Sequence, residues 1–389
     1  MPFSQNIEGK RVILRVCGIN HKTAPVEVRE RLAIPPDRLG QAVRLLKEQG
    51  PVLESAILST CNRVELYAVM NKDCDCSELV RFLARFHGID ESTFAQFLYH
   101  GSGMDAAFQL FKVAASLDSM VIGEPQILGQ VKQAYQVARD AGGLGEILTE
   151  VFDEAIRAGS HARSHTQIGK GAVSVSSISI ELARKAVGDL DGKTVLIIGT
   201  GKISELSIRH LQSRGIRKVL VANRTFERAQ ELARSVGGEA VRFDALFEFM
   251  ERADIVLSST AAPHIIIHRA QVREVMQRRG GRPLIFIDTA VPRDIDPGVK
   301  EIEGVHLYNI DDLSLVRDAN LQKKIAAARD VEKIIQERMG HLIEKWNQGK
   351  GRKGSHAEEE DSRRNSRKRA GDDAGATGPE RPGSRGAGA

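Results

Sequence analysis

The hexapeptide Ser59-Thr60-Cys61-Asn62-Arg63-Val64 puts a single thiol at the end of an apolar run, two residues from a guanidinium. A cysteine attacks as its thiolate, and a neighbouring arginine favours that anion while offering a bidentate dock to a substrate carboxylate. Ala56-Ile57-Leu58 has the composition of the end of a buried strand, and Val64-Glu65-Leu66-Tyr67-Ala68-Val69 that of a second strand. Cys61 therefore falls in a connection, where catalytic groups gather. On the hexapeptide alone an inert, packed thiol is the commoner outcome.

A second chemical motif lies in Val195-Leu196-Ile197-Ile198-Gly199-Thr200-Gly201-Lys202-Ile203-Ser204, which reads as strand, glycine turn and helix start. Gly199 permits the turn, and Gly201 lets backbone N–H groups approach a pyrophosphate at a helix N-terminus. Ser204 stands where the third glycine of the G-x-G-x-x-G pattern would fall, and it is small enough for close helix–strand packing. The next strand ends at Asn223-Arg224-Thr225, without the acidic residue that would bind a ribose hydroxyl. Arg224 and Thr225 suit a 2′-phosphate, so the expected cofactor is NADPH. A thiolate takes an acyl group as a thioester, and hydride transfer to that thioester releases an aldehyde. Together the two motifs predict an acyl-reducing enzyme, with its substrate open.

The elements that must position these residues form two β/α regions of different kinds. The first alternates strands and helices without a dinucleotide signature. Val12 to Gly18 predicts an opening strand, followed by the loop Asn20-His21-Lys22-Thr23-Ala24-Pro25, in which His21 is a candidate site residue. Helices are predicted over Val26 to Leu32, Pro36 to Gln49, residues 104 to 117, and from Pro125, which suits a first helical position. Gln126, Gln130 and Gln133 share one face of that last helix, and a glutamine row is more often solvated than functional. Residues 146 to 166 and 173 to 188 are helical in pattern, joined at Ile168-Gly169-Lys170-Gly171. Strands at 195–198, 218–222, 240–243, 254–258 and 283–288 then predict a doubly wound parallel sheet. From Asp311 a helical pattern runs to Trp346 and calls for a partner surface, with self-association expected. The tail beyond Gly349 has almost no apolar residues and is expected to be disordered.

Composition narrows the class. A chain of 389 residues has room for two or three domains. Four cysteines and no secretory signal suggest a reducing, cytoplasmic setting, and no apolar run approaches the roughly 20 residues of a membrane span. From Lys350 onward 10 Lys and Arg face 7 Asp and Glu, so this tail supplies +3 of the net +5 and leaves +2 for residues 1 to 349. The basic balance therefore gives no argument for RNA or DNA binding. Cys74-Asp75-Cys76 lacks further ligands at metal spacing, so no metal is expected, and Cys17 reads as core.

In several ordered segments the chain resembles the glutamyl-tRNA reductase family: residues 20–25, Ser59 to Glu65, Leu117 to Gln130, Gly171 to Ser176 and Ala290 to Ile295. The resemblance spans about residues 12 to 345. It implies an α/β chain with an N-terminal α+β catalytic domain (1–165), a Rossmann-like doubly wound NADPH-binding domain with a leading linker helix (166–310), a C-terminal helical dimerisation region (311–348) and a tail (349–389). It implies a V-shaped homodimer in which Cys61 attacks the ester of glutamyl-tRNA(Glu), and NADPH reduces the thioester to glutamate 1-semialdehyde. Thr60, Asn62, Arg63, Ser119, Glu124, Pro125, Gln126 and Gln130 would form the glutamate pocket, with Arg63 pairing the substrate's side-chain carboxylate. A contact with glutamate-1-semialdehyde aminomutase is a further expected partnership. Gln109 departs from the family, which usually has a histidine there, and glutamine cannot titrate near neutral pH. Lys202 and Ser204 depart from its glycine loop. Two other readings compete: an NADP-dependent alcohol dehydrogenase of the shikimate type, which would not need Cys61, and a catalytically silent protein that binds tRNA or NADPH.

Overall fold

Two sheets of opposite construction organise the structure, a computed structural model that describes residues 4–7, 10–169, 175–312 and 325–346. Among the described residues, those up to Met339 form one compact unit, and Gly340–Trp346 belong to a second.

The N-terminal sheet is antiparallel throughout. β1 (Ser4–Ile7) and β2 (Lys10–Asn20) precede two helices, α1 (Val26–Leu32) and α2 (Pro36–Lys47). β3 (Val52–Ser59) and β4 (Arg63–Asn71) follow, then α3 (Ser77–His87), β5 (Tyr99–Ser102), α4 (Met104–Ala114), α5 (Ile127–Asp140) and α6 (Glu146–His165). The strand order is β1-β2-β4-β3, with β5 also paired to β2. β3 and β4 are buried almost end to end, as their apolar runs require. Ser59 pairs with Val64, and Asn20 with Arg63, so the loop between β3 and β4 lies beside the end of β2. α2, α5 and α6 pack on β3. Glu54 points from β3 to the start of α6 and accepts from Ile147 N (3.1 Å) and Leu148 N (2.7 Å), a carboxylate on the positive end of a helix dipole. Gly159 lets α6 touch α4, since a Cβ there would lie 2.3 Å from the Ala114 carbonyl oxygen.

α7 (Val175–Val187) leads into the second sheet. Its elements are β6 (Thr194–Ile198), α8 (Lys202–Gln212), β7 (Lys218–Ala222), α9 (Phe226–Val236), β8 (Glu239–Val241), α10 (Leu246–Met250), β9 (Ile255–Ser258), α11 (Arg269–Arg279), β10 (Leu284–Asp288) and β11 (Val305–Tyr308). All strands are parallel, in the order β11-β10-β9-β6-β7-β8. Renumbered from its own first strand, this is the 3-2-1-4-5-6 order of a dinucleotide-binding fold, with its switch point between β6 and β9. Leu196, Val256 and Phe286 fill one face, and Val195, Ile197 and Ile255 fill the other.

Several elements differ from the sequence-based expectation. Pro125 is not a first helical residue: α5 starts at Ile127, after a turn ending at Gln126. α3, β1 and β5 were not anticipated, and the strand expected at 240–243 runs over 239–241. Of the helix expected from Asp311 to Trp346, the part over 325–346 is described. In the first unit it buries Val331 and Ile335; in the second, Leu342 and Trp346. Residues 313–324 and the tail from 349 lie outside the described residues, as does the 171–174 portion of the Gly171 to Ser176 segment.

Candidate active site

The thiol sits on a tight connection. Thr60 N donates to the Arg63 carbonyl (2.8 Å), and the Thr60 hydroxyl accepts from the amides of Asn62 and Arg63 (both 3.2 Å). Thr60 thus folds back on its own backbone and shapes the loop. His21 N donates to the Asn62 carbonyl (3.0 Å), which ties the loop after β2 to the thiol loop. Buried Arg29 from α1 donates through Nη1 to the Cys61 carbonyl and to Asn62 Oδ1 (3.5 Å).

Arg63 is beside Cys61 but only 1% exposed. Its Nη1 contacts Glu65 Oε1 at 2.6 Å and Asp118 Oδ2 at 3.1 Å, and its Nη2 donates to the Asp118 carbonyl. Glu65 also accepts from Tyr67 (2.7 Å) and from Tyr99, and Asp118 from Asn20 (3.3 Å) and Lys22 (2.5 Å). Gln109 lies between the two acids, its Nε2 donating to Glu65 Oε1 (3.0 Å) and Asp118 Oδ2 (2.9 Å). One amide nitrogen carries two protons, so it serves both carboxylates in one pose. The guanidinium expected to meet a substrate carboxylate is therefore committed to protein acids. Lys22, at 57% side-chain exposure, is the cation of this cluster that faces solvent.

The electrostatics follow from burial and these pairings. Burial pushes the Cys61 thiol up to about 12, assisted by the Glu124 carboxylate and opposed by Arg29 and Arg63. At pH 7 Cys61 is therefore a thiol. Burial raises Glu124 above its ordinary value, against the pull of Arg63. Burial, then Arg63, lowers His21 to about 4, so its ring is neutral at pH 7. Burial works against the Asp118 carboxylate, yet Arg63, Lys22 and Gln109 hold it well below the usual range. Ser119 Oγ, Gln126 Nε2 and His21 Nδ1 are buried without a hydrogen-bond partner, which is costly unless another molecule supplies one. Gln126 and Gln130 are half-buried and Gln133 is exposed, so the glutamine row is solvated only at its far end. Pro125 is exposed, and its carbonyl accepts from Arg163 (2.7 Å).

The nucleotide domain supplies the other wall. Cys61, Met120 and Val291 pack against a cluster of Val26, Val121, Ile178, Leu182 and Ile310. Val291 belongs to a loop organised by two buried acids. Asp288 accepts from the amides of Ala290 (3.0 Å), Asp294 and Ile295 (both 2.9 Å), and Asp294 accepts from Ser258 Oγ (2.6 Å), Thr260 N (3.0 Å) and Thr260 Oγ1 (2.5 Å). At the switch point lies a cavity of about 660 Å³ whose lining includes Gly199, Asn223, Arg224, Thr225, Arg228 and Thr260, and also Asp37 and Arg38 of α2. Gly199 has φ +99°, and a Cβ there would meet the Ser259 carbonyl at 2.3 Å, so only glycine fits the turn. Two guanidiniums beside Thr225 suit a phosphorylated ribose. Gly201 caps α8. Ser204 is buried, as close packing requires, while Lys202 is exposed and pairs with Glu205 (2.9 Å). Thr200 and Ile203 are half-buried in the same turn. Arg228 was missed from the sequence, although it falls four residues after Arg224. The residues that secure the thiol loop, Arg29 and Asp118, were missed as well. Among the described residues no group of His, Cys, Asp and Glu could hold a metal, and no helix is long and apolar enough to cross a membrane.

A dehydrogenase-type sheet with a glycine turn and two ribose-side cations, joined to a thiol-bearing domain, defines an oxidoreductase that uses a pyridine nucleotide. Comparison with known proteins makes this specific. Residues 17–166 match the glutamyl-tRNAGlu reductase N-terminal domain, and residues 181–316 match shikimate / quinate 5-dehydrogenase. The glutamyl-tRNA reductase of Syntrophotalea carbinolica is 47% identical over 323 residues, covering 83% of this chain and 73% of that protein. That of Geobacter sulfurreducens is 46% identical over 332 residues, covering 85% and 76%. The solved glutamyl-tRNA reductase from Methanopyrus kandleri is 42% identical, with a TM-score of 0.50 and coverage of 87% of this chain and 82% of that one. The chain belongs to the glutamyl-tRNA reductase family, whose activity is the first committed step of tetrapyrrole synthesis. The likeness to shikimate-type dehydrogenases is thus confined to the nucleotide domain, and the reading of the chain as such a dehydrogenase is set aside.

Proposed function

We propose that this chain converts glutamyl-tRNA(Glu) and NADPH into glutamate 1-semialdehyde through a thioester on Cys61. The observation that carries the reading is that Cys61 packs on one cluster with Met120 and with Val291 of the nucleotide domain, while His21, tied to the Cys61 loop, and Ser119, next to Met120, keep buried polar atoms without a partner. In the acyl transfer, Sγ forms a bond to the ester carbon, the bond from that carbon to the tRNA ribose oxygen breaks, and the thiol proton ends on the released ribose hydroxyl. Glu124, the carboxylate that bears most strongly on the thiol, relays that proton. Gly199, Arg224, Thr225 and Arg228 line the cavity that would hold NADPH, which would supply the hydride for reduction of the thioester to the aldehyde.

Roles within the pocket follow from what each group has left to give. Ser119, Gln126 and Gln130 hydrogen-bond the glutamyl moiety, Glu124 and Pro125 close its side, and Asn62 holds the loop. Lys22 meets the substrate's side-chain carboxylate, with Arg63 supporting Asp118 from behind. Gln109 takes the place of a histidine as a clamp on Glu65 and Asp118, so a proton-transfer role is not needed from it. The chain acts as a cytoplasmic homodimer through its C-terminal helical region, and the aminomutase that consumes the reactive aldehyde is its natural partner. The test uses glutamyl-tRNA charged with labelled glutamate. Without NADPH, denatured protein should retain label on Cys61, and Cys61→Ser should retain none. With NADPH the label should leave as the semialdehyde. Undiminished turnover by Cys61→Ser would refute the covalent route.

A further inference from the structure

Helix α1 carries contacts in two directions at once. On one side Arg29, 1% exposed, donates through Nε to the Ala24 carbonyl (3.2 Å) and through Nη1 to the Cys61 carbonyl. On the other, its Nη2 pairs with Asp311, which lies just past β11 at the end of the nucleotide domain, 282 residues away. Asp311 Oδ2 also accepts from Val26 N at the start of α1 (3.1 Å). One turn along the same helix, Glu30 receives Arg293 Nε (3.0 Å) and Nη2 (2.7 Å), and Glu27 receives Arg293 Nη1 (3.0 Å). Arg293 sits in the loop held by Asp288 and Asp294, and Asp294 grips Thr260 of the cofactor cavity.

We propose that Arg29 is a positioning residue for Cys61, and that its pairing with Asp311 makes the placement of the thiol depend on the nucleotide domain being docked on α1. A guanidinium can hold the Cys61 carbonyl, the Ala24 carbonyl and a carboxylate together because its donors diverge in a rigid plane; an ammonium cannot span the same three acceptors. Buried charge without its partner is costly, so Arg29 keeps its present pose only while Asp311 stands opposite. Cofactor bound against Thr260 would steady the Asp294 loop, Arg293 and α1, and through α1 the thiol loop. The coupling needs a two-position element, and docking of the nucleotide domain on α1 is that element.

The inference rests on Cys61 being the nucleophile, and two measurements keep the claims apart. The first is the rate of Cys61 alkylation by iodoacetamide, read by peptide mass mapping in the full-length protein with and without NADPH at saturation verified by its fluorescence. NADPH should slow alkylation at least threefold in the wild type and by less than 1.5-fold in Asp311→Asn, although the cofactor still binds. Equal protection in the two proteins would mean simple occlusion by the nicotinamide and would overturn the coupling, as would absence of protection in the wild type. The second is single-turnover acylation by glutamyl-tRNA without cofactor. Arg29→Lys should acylate at least tenfold more slowly while its alkylation by iodoacetamide, which needs no orientation, stays within twofold. Normal acylation would overturn the positioning role. If Arg29→Lys fails to fold, the Asp311→Asn comparison alone decides, because Asp311 is partly exposed. Failure of the nucleophile reading has a different signature, full turnover by Cys61→Ser.

Discussion

Glu65→Gln tests whether the buried charge cluster beneath the thiol is a structural unit. Glu65 is fully buried and accepts from Arg63, Tyr67, Tyr99 and Gln109. The substitution keeps volume and shape but removes the negative charge, leaving Arg63 with Asp118 as its remaining carboxylate. It also turns two acceptor sites into an N–H₂ group facing hydroxyls and the Gln109 amide. Breaking one side of a buried ion pair costs about 3–5 kcal/mol. For a domain of this size each kcal/mol lowers Tm by about 2–4 °C, so a drop of roughly 10 °C is expected. Thermal unfolding followed by circular dichroism at pH 7 measures it. A second variant, Arg63→Met with Glu65→Gln, removes the stranded cation, and should recover part of the loss, with a coupling of about 1–3 kcal/mol. A single variant that melts within 2 °C of wild type, or a double variant whose losses simply add, would show that Arg63 is satisfied without Glu65.

Three further expectations are separable from this one. Arg224→Ala should raise the KM for NADPH by about 10- to 100-fold, the value of one charged hydrogen bond, and leave the KM for NADH nearly unchanged; parallel losses for both cofactors would remove Arg224 from phosphate recognition. Lys22→Ala should raise the KM for glutamyl-tRNA at least fivefold with a smaller change in kcat, and unchanged KM would return carboxylate recognition to Arg63. Burial and then Asp294 hold the Asp288 carboxyl up at about 7 from its ordinary 3.8. A raised acid contributes stability that is complete below the unfolded value and lost as pH rises through the folded one, here between about pH 4 and 7 and on the order of 4 kcal/mol at most. Urea denaturation of Asp288→Asn should show a flatter dependence across that window, and an unchanged slope would refute the assignment.

The parts of the fold written in local pattern were legible. The apolar runs on either side of Cys61 marked β3 and β4, and the glycine turn marked β6 and α8, because each signal spans only a few consecutive residues. β5, with the sequence Tyr99-His100-Gly101-Ser102, has no strand pattern and exists because β2 offers it an edge. α3 was overlooked although Leu79, Val80, Phe82 and Leu83 mark a buried face. In the site, residue identity was readable but commitment was not. Arg63 looked free for a substrate until Asp118, 55 residues on, was seen to hold it. Arg29 looked like one more charge on a short helix, since its partner Asp311 is remote in sequence.

The charged groups around the reaction sit in two ionic worlds. Arg63, Glu65 and Asp118 are enclosed by protein, where mobile ions do not enter, whereas Arg224 and Thr225 lie exposed at the rim of their cavity. At physiological salt, charges in open water lose sight of one another beyond about 8 Å. A rise in cellular potassium or a loss of cell water would thus screen Arg224, and Lys22 with it, while leaving the buried pairing of Arg63 with Glu65 and Asp118 as it was. Osmotic stress would therefore act first on the solvent-facing cations, Lys22 and Arg224, and leave unchanged the buried scaffold that holds the loop of Cys61.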